Sequence, residues 1–244
     1  MNRKYKITEE IREVRGRILH RIQAVRDFGD VKAGELGGFV EKESNLSHEG
    51  TCWIYRTLSS DGKDLSACVF GDAQILQDAE VVGTAQVFGS AKVFGCASVS
   101  GRGCQVSGNA SIFGSAGVGP GCCVKDSARI SGAAEIFDLE VSGNSCISGR
   151  VNLSGESAPE SPEIAKKYGK VSKVSGNAKV SGNLRIRGFL HISGDSKVSG
   201  KGWAEELGDF VCIGSSEISG RPDFKYHGCY VFEDAQICGD PCLA

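Results

Sequence analysis

Hydrophobic positions along this chain recur every six residues. From Gly83 to Gly101 the chain reads GTAQVFGSAKVFGCASVSG, three blocks that each open with Gly and carry Ala third and Val fifth. The fifth-position aliphatics run Ile75, Val81, Val87, Val93 and Val99, then, after one extra residue, from Val106 to Ile136. One residue is lost before Val141, Ile147 and Leu153. An insertion precedes Val174, Val180, Ile186, Ile192 and Val198, and further insertions precede Ile213, Ile218, Val231, Ile237 and Leu243. Upstream, Val40, Leu46, Ile54 and Val69 are irregular members of the series. Strand side chains alternate, so the third and fifth residues point one way and the fourth and sixth the other. The apolar pair must point inward. A period of six with two inward residues does not fit a helix, and so much Gly would melt one. An antiparallel sandwich needs longer strands and turn clusters every 8–12 residues or so. The pattern predicts an all-β, single-stranded β-solenoid. Three hexapeptides would form each rung, about 18 residues per turn, with rungs stacked by parallel backbone bonding about 4.8 Å apart.

Composition supports a thin core. The chain holds 34 Gly, one Met and 7% aromatics in 244 residues. Net charge is −2, which does not mark the whole chain as a polyanion binder. No apolar run approaches a membrane span, and the charged start MNRKYKITEEIREVRGR lacks the apolar stretch of a signal peptide. The expected location is cytoplasmic, with no membrane partner. The 11 Cys are odd in number, and a reducing compartment argues against a disulfide framework. Cys104, Cys122 and Cys229 take the third, inward slot as small apolar filler, and no second C-x-x-C completes a zinc signature, so no metal is expected.

Residues 1–37 do not repeat and are expected to cap the coil, with Arg17–Val25 a strand and Thr8–Val14 one helical turn or two. Residues 38–244 would form the solenoid, with insertions near 56–67, 155–170 and 200–229. In the second insertion, Ser161, Pro162 and Gly169 could bound a short helix. From Ile164 to Lys201 nine Lys or Arg face one acid, Asp195. Lys173, Lys179, Arg185, His191 and Lys197 take the outward fourth slot and should ring the prism. They read either as a solvated exterior that discourages edge pairing or as a surface for an acidic partner. No aromatic interleaving accompanies them, so nucleic acid is not the expected partner.

The stretch RIQAVRDFGDVKAGELGGFVEKESNLSHEGTCWIY, from Arg21 to Tyr55, carries GDVKAG, LGG, LSHEG and CWIY elements. It resembles the leading segment of the YdcK-type β-solenoid proteins of bacteria and their phages and prophages. The repeats that follow resemble the hexapeptide repeat of left-handed β-helix proteins, the fold of many acyltransferases. That resemblance implies a left-handed parallel β-helix. It also implies, where there is catalysis, a His as general base and coenzyme A lying along the coil, usually between subunits. His48, His191 and His227 are then the candidates, His48 with Glu49 beside it; His20 falls in the cap. No glycine-rich phosphate loop or G-x-S-x-G elbow is present.

Phe70, Phe88, Phe94, Phe113 and Phe137 take the outward sixth slot, and Phe94 and Phe113 should stack one rung apart. They mark a packing surface for a partner or a second copy, or a patch covered by the cap or the 56–67 loop. The expected function is a non-catalytic β-solenoid scaffold, in a bacterial or phage setting, that presents outward faces and loops to a protein partner or to itself. It would need no cofactor. The alternative is a hexapeptide-repeat acyltransferase using acetyl-CoA or another acyl-CoA.

Overall fold

A computed structural model describes residues 3–14, 16–55, 67–156, 162–204, 209–220, 223–224, 229–231, 233–234, 236–237 and 242–243. Its strands are short, as in Gln86–Val87, Lys92–Val93 and Ser98–Ser100. No such strand is stable alone, and each gains its partners from the rungs on either side. Gln105–Val106, for example, lies parallel between Gln86–Val87 and Cys123–Val124. The described residues form an all-β solenoid of about 8 turns with almost no helix.

Three faces follow one another around each rung. The first carries strands at 86–87, 105–106, 123–124, 140–141 and 173–174. The second carries those at 92–93, 111–112, 129–130, 146–147 and 179–180, and the third those at 98–100, 117–118, 135–137 and 150–155. The longer strand Asn183–Ile192 runs along the third face and turns the corner onto the first. It pairs with Arg150–Gly155 at one end and with Lys173–Val174 at the other.

The interior is built as the spacing predicts. Ala85, Val87, Ala91, Val93, Ala97 and Val99 are all 0% exposed. Cys104 and Cys122 fill the same slot on neighbouring rungs, equally buried, and burial pushes both thiols up, Cys122 to about 12. One phase differs. Cys212, not Ile213, takes the inward slot, because Cys212 pairs with Ile192 and Ile213 falls one place outward.

Corners bring backbones together. Gly71, Gly89, Gly108, Gly143, Gly176, Gly194 and Gly214 stack in one column between the first and second faces, all at positive φ. Asp126 stands in this column at φ 61, and its Oδ2 accepts the Gly143 N–H at 2.9 Å. Gln77, at φ 59 in the next column, does the same for the Gly95 N–H at 2.7 Å. A side chain that replaces Gly here thus satisfies the backbone donor of the rung below.

The cap is an antiparallel sheet of β1 (Tyr5–Val14), β2 (Arg17–Ala24) and β3 (Leu36–Val40). Residues 8–14 are therefore strand, not helical turn: Ile11, Arg12, Glu13 and Val14 pair in register with His20, Leu19, Ile18 and Arg17 of β2. The cap sheet runs through Val40, past the boundary expected at residue 37. The first parallel coil contacts are Leu46 with Val69 and Trp53–Ile54 with Gln74–Ile75. Tyr5, Ile22, Ala24 and Phe28 close the end of the core around Trp53, which is 0% exposed.

Stacked corners give a test. A Cβ on Gly143, at φ +70, would lie 2.6 Å from the Gly176 carbonyl oxygen, whereas Gly103, at φ +72, has nothing within 4 Å. Urea denaturation should show Gly103→Ala losing about 1 kcal/mol from φ strain alone. Gly143→Ala should lose about 2 kcal/mol or more, as strain and overlap add. Equal losses would mean that corner stacking does not limit the sequence.

Candidate functional site

In the first rung two extra residues lie between Leu46 and Ile54, at the corner between the first and second faces; beyond it, changes of block length fall at one corner, that between the third and first faces. The extra residue at 101–103 lies there, the lost residue at Asp138 lies there, and so does the insertion between Arg150–Gly155 and Lys173–Val174. The connection from Lys201–Ala204 to Asp209–Cys212 joins the same two faces. The 156–172 insertion is tied at its neck. Ser172 Oγ donates to the Glu156 carbonyl at 2.8 Å and accepts the Glu156 and Leu190 N–H groups at 3.1 Å. Gly155 permits this, since a Cβ there would meet Ser172 Cβ at 2.6 Å.

The insertion carries α1 (Pro162–Tyr168), which ends at Tyr168 over the first face. The Tyr168 ring lies 4.8 Å from the ring of His191. His191 occupies the outward fourth slot as expected, yet it is only 5% exposed, because the insertion covers it. Its outward column neighbours are Lys173 on one rung and Val211 on the next. Its Nδ1 is buried without a hydrogen-bond partner among the described residues. Burial, and secondarily the Lys173 ammonium, pull the imidazole down to about 4, so it is neutral at pH 7.

His48 is held differently. Its Nε2 lies 2.9 Å from Glu43 Oε1, and its Nδ1 accepts the Lys4 N–H at 3.4 Å. The ring stacks on Tyr5 with centroids 4.3 Å apart. Glu43, not the adjacent Glu49, is therefore the carboxylate that orients it. The Tyr5 hydroxyl donates to the Glu43 and Leu46 carbonyls, so the Glu43–Leu46 turn, Tyr5 and His48 form one packed unit joining cap to coil. His227 lies outside the described residues. His20 is half-buried in β2 between Ile11 and Val40.

The outward aromatics form two stacks on two faces. Phe70 and Phe88 stack at 4.9 Å on the first face, and Phe94 and Phe113 at 4.9 Å on the second. Phe137 stands on the third face, where its ring packs over the bare backbone of Gly119. Much of each ring covers its neighbour, and Phe70 is the most exposed at 37%. Below Phe113 the same column continues as Ser131, Ser148, Ser181 and Ser199. The basic residues ring the coil: Lys173 on the first face, Lys179 and Lys197 in register on the second, Arg185 on the third. No cluster of metal-ligating side chains occurs among the described residues.

The covering of His191 by Tyr168 was within reach of block counting. Three blocks per rung place His191 one rung beyond the end of the insertion, on the face that the insertion adjoins. The His48–Glu43 pairing has no such signal, because it depends on a turn outside the repeat.

No family profile matches the chain. A stretch of 81 residues is 38% identical to the uncharacterized acetyltransferase YdcK of Escherichia coli (strain K12). It covers 30% of this chain and 22% of that relative's length. With the coil, this similarity fits a YdcK-like hexapeptide-repeat β-helix.

The buried His191 makes stability depend on acid. Between pH 6.5 and about 4 the unfolded chain carries a proton that the folded chain refuses. Stability is therefore complete above that window and falls as pH drops through it, by up to about 3 kcal/mol. His191→Phe should flatten this part of the pH–stability curve. Ser172→Ala, by loosening the neck, should raise the His191 pKa toward 6.5 in an NMR titration. An unchanged pKa would mean that the insertion does not keep water from the ring.

Proposed function

We propose that this protein is a β-solenoid scaffold that works by presenting its faces and corner insertion to a protein partner or a second copy, rather than by catalysis. The observation that carries this reading is the engagement of His48 and His191. A general base needs a lone pair facing its substrate. The ring nitrogens of His48 are turned to Glu43 and Lys4, and His191 lies beneath Tyr168. The surfaces left for recognition are the Phe70–Phe88 and Phe94–Phe113 stacks and the basic ring of Lys173, Lys179, Arg185 and Lys197. A cytoplasmic site in a bacterial or phage setting accords with this reading.

A second reading, acyl transfer from acetyl-CoA or another acyl-CoA, draws support from the acetyltransferase name of the relative and from the neutral imidazole of His191. It requires α1 to move, since an acyl group must reach the ring past Tyr168. Calorimetry with acetyl-CoA separates the two, on protein whose oligomeric state is fixed by light scattering in the same session. The scaffold reading expects no saturable heat. It also expects Phe94→Ala with Phe113→Ala to weaken self-association or partner capture while the coil still folds. Saturable binding to a trimer, abolished by His191→Gln, would overturn it in favour of transfer.

A further inference from the structure

The junction between cap and coil holds a pair that the scaffold does not require. Lys4, at the start of the cap, is 0% exposed, and its ammonium reaches down into the first turns of the coil. Nζ donates to the carbonyls of Glu49 at 3.3 Å, Gly50 at 3.3 Å and Cys52 at 2.9 Å. It also lies 3.1 Å from the Cys52 sulfur and 5.1 Å from the centre of the Phe28 ring. Cys52 is itself 0% exposed. Three carbonyls suffice to hold an ammonium, so the thiol is not needed as an anchor. Among the other described cysteines, Cys104 and Cys122 sit in the apolar interior.

We propose that Lys4 and Cys52 form an oxidative crosslink, an S–N bond made when hydrogen peroxide reaches the thiol. The thiol sulfur is first oxidised: the peroxide O–O bond breaks, Cys52 becomes a sulfenic acid, and one water leaves. The Lys4 amine, as free base, then attacks that sulfur, the S–OH bond breaks, and hydroxide leaves with the amine proton as a second water. Cys52 thus loses two electrons to one peroxide, and the product lacks two hydrogens. A thiol reductant reverses it by attacking sulfur and releasing the amine. Burial lowers the Lys4 pKa and so favours the free amine that attacks; it raises that of Cys52, against which the Lys4 ammonium beside the sulfur draws the thiol back toward the thiolate that peroxide oxidises. An open groove lies close by: Ser47 and Val69 line it, and their carbonyl oxygens lie 3.6 Å from the Cys52 sulfur, so the backbone of these two residues is what peroxide must pass. The bond would staple the cap to the coil.

The test treats the intact, folded chain with hydrogen peroxide, blocks remaining thiols, digests after Glu, and maps peptides by mass. The expected result is a joined species linking the peptide that ends at Glu9 to the one that begins at Gly50. Its mass should be their sum less two hydrogens, and a thiol reductant should separate them. The species should be absent from Lys4→Arg, from Cys52→Ser and from wild-type chain unfolded in urea before treatment. The crosslinked protein should melt at a higher temperature than the same sample after reduction. Cys52 found unmodified, or as sulfinic acid with the Lys4 peptide unattached, would overturn the proposal. So would a joined species of equal yield in the unfolded chain. A joined species heavier by one oxygen that a thiol reductant still separates would place that atom between nitrogen and sulfur and overturn the S–N assignment.

Discussion

Everything in this molecule depends on one rung settling in register on the next. Most strands of the coil are two or three residues long, and the backbone bonds between rungs are their only regular partners. Gln86, Phe88 and Ser90 donate in turn to the carbonyls of Cys104, Val106 and Gly108 at 2.8–2.9 Å. Such bonding holds only if the corners also stack, and a corner leaves no room for a side chain between rungs. The Gly columns follow from that. So does the chemistry of the exceptions: Asp126 and Gln77 accept the left-handed backbone conformation and turn their side chains onto the N–H below.

Strict stacking restricts where the chain can vary. An insertion inside a strand would shift every later side chain to the wrong side. One at a corner leaves the register of the next strand intact. Beyond the first rung, the corner between the third and first faces takes this variation in the described coil. The insertion containing α1 emerges there, so it folds onto the first face, and what it covers is set by the rung it leaves. His191 is buried for this reason, and not because its own block differs from its neighbours. The burial is a property of the corner, transmitted through Ser172, Gly155 and Tyr168.

Most of the coil was legible in the sequence because its constraints are local and repeat. Ala third and Val fifth are read directly, and the Phe94–Phe113 stack follows from counting three blocks. Where the repeat stops, legibility stops with it. Thr8–Val14 is rich in charged residues and alternates weakly, so its strand character comes from the partner β2 rather than from its own pattern. Lys4 resembles any N-terminal lysine, and only the folded cap brings it against Cys52. Glu49 beside His48 was the natural partner by proximity. The turn at Glu43 displaced it, because a residue five places away can approach side-on where an adjacent one points elsewhere.

The exterior obeys a different economy from the core. Lys179 and Lys197 lie directly opposite one another on adjacent rungs, a pairing that costs stability in any sheet. Both are exposed, so solvent and salt weaken the repulsion without removing it. The coil does not need these residues, since its inward slots and corners already set its register. Neither does edge protection explain them, because these strands lie inside a continuous ladder with paired rungs on both sides. On its other side Lys197 lies in register with Glu217, an opposite-charge pair that offsets part of this repulsion. The inward slots and corners fix the register of the rungs, and the register in turn fixes which charges face one another along the column.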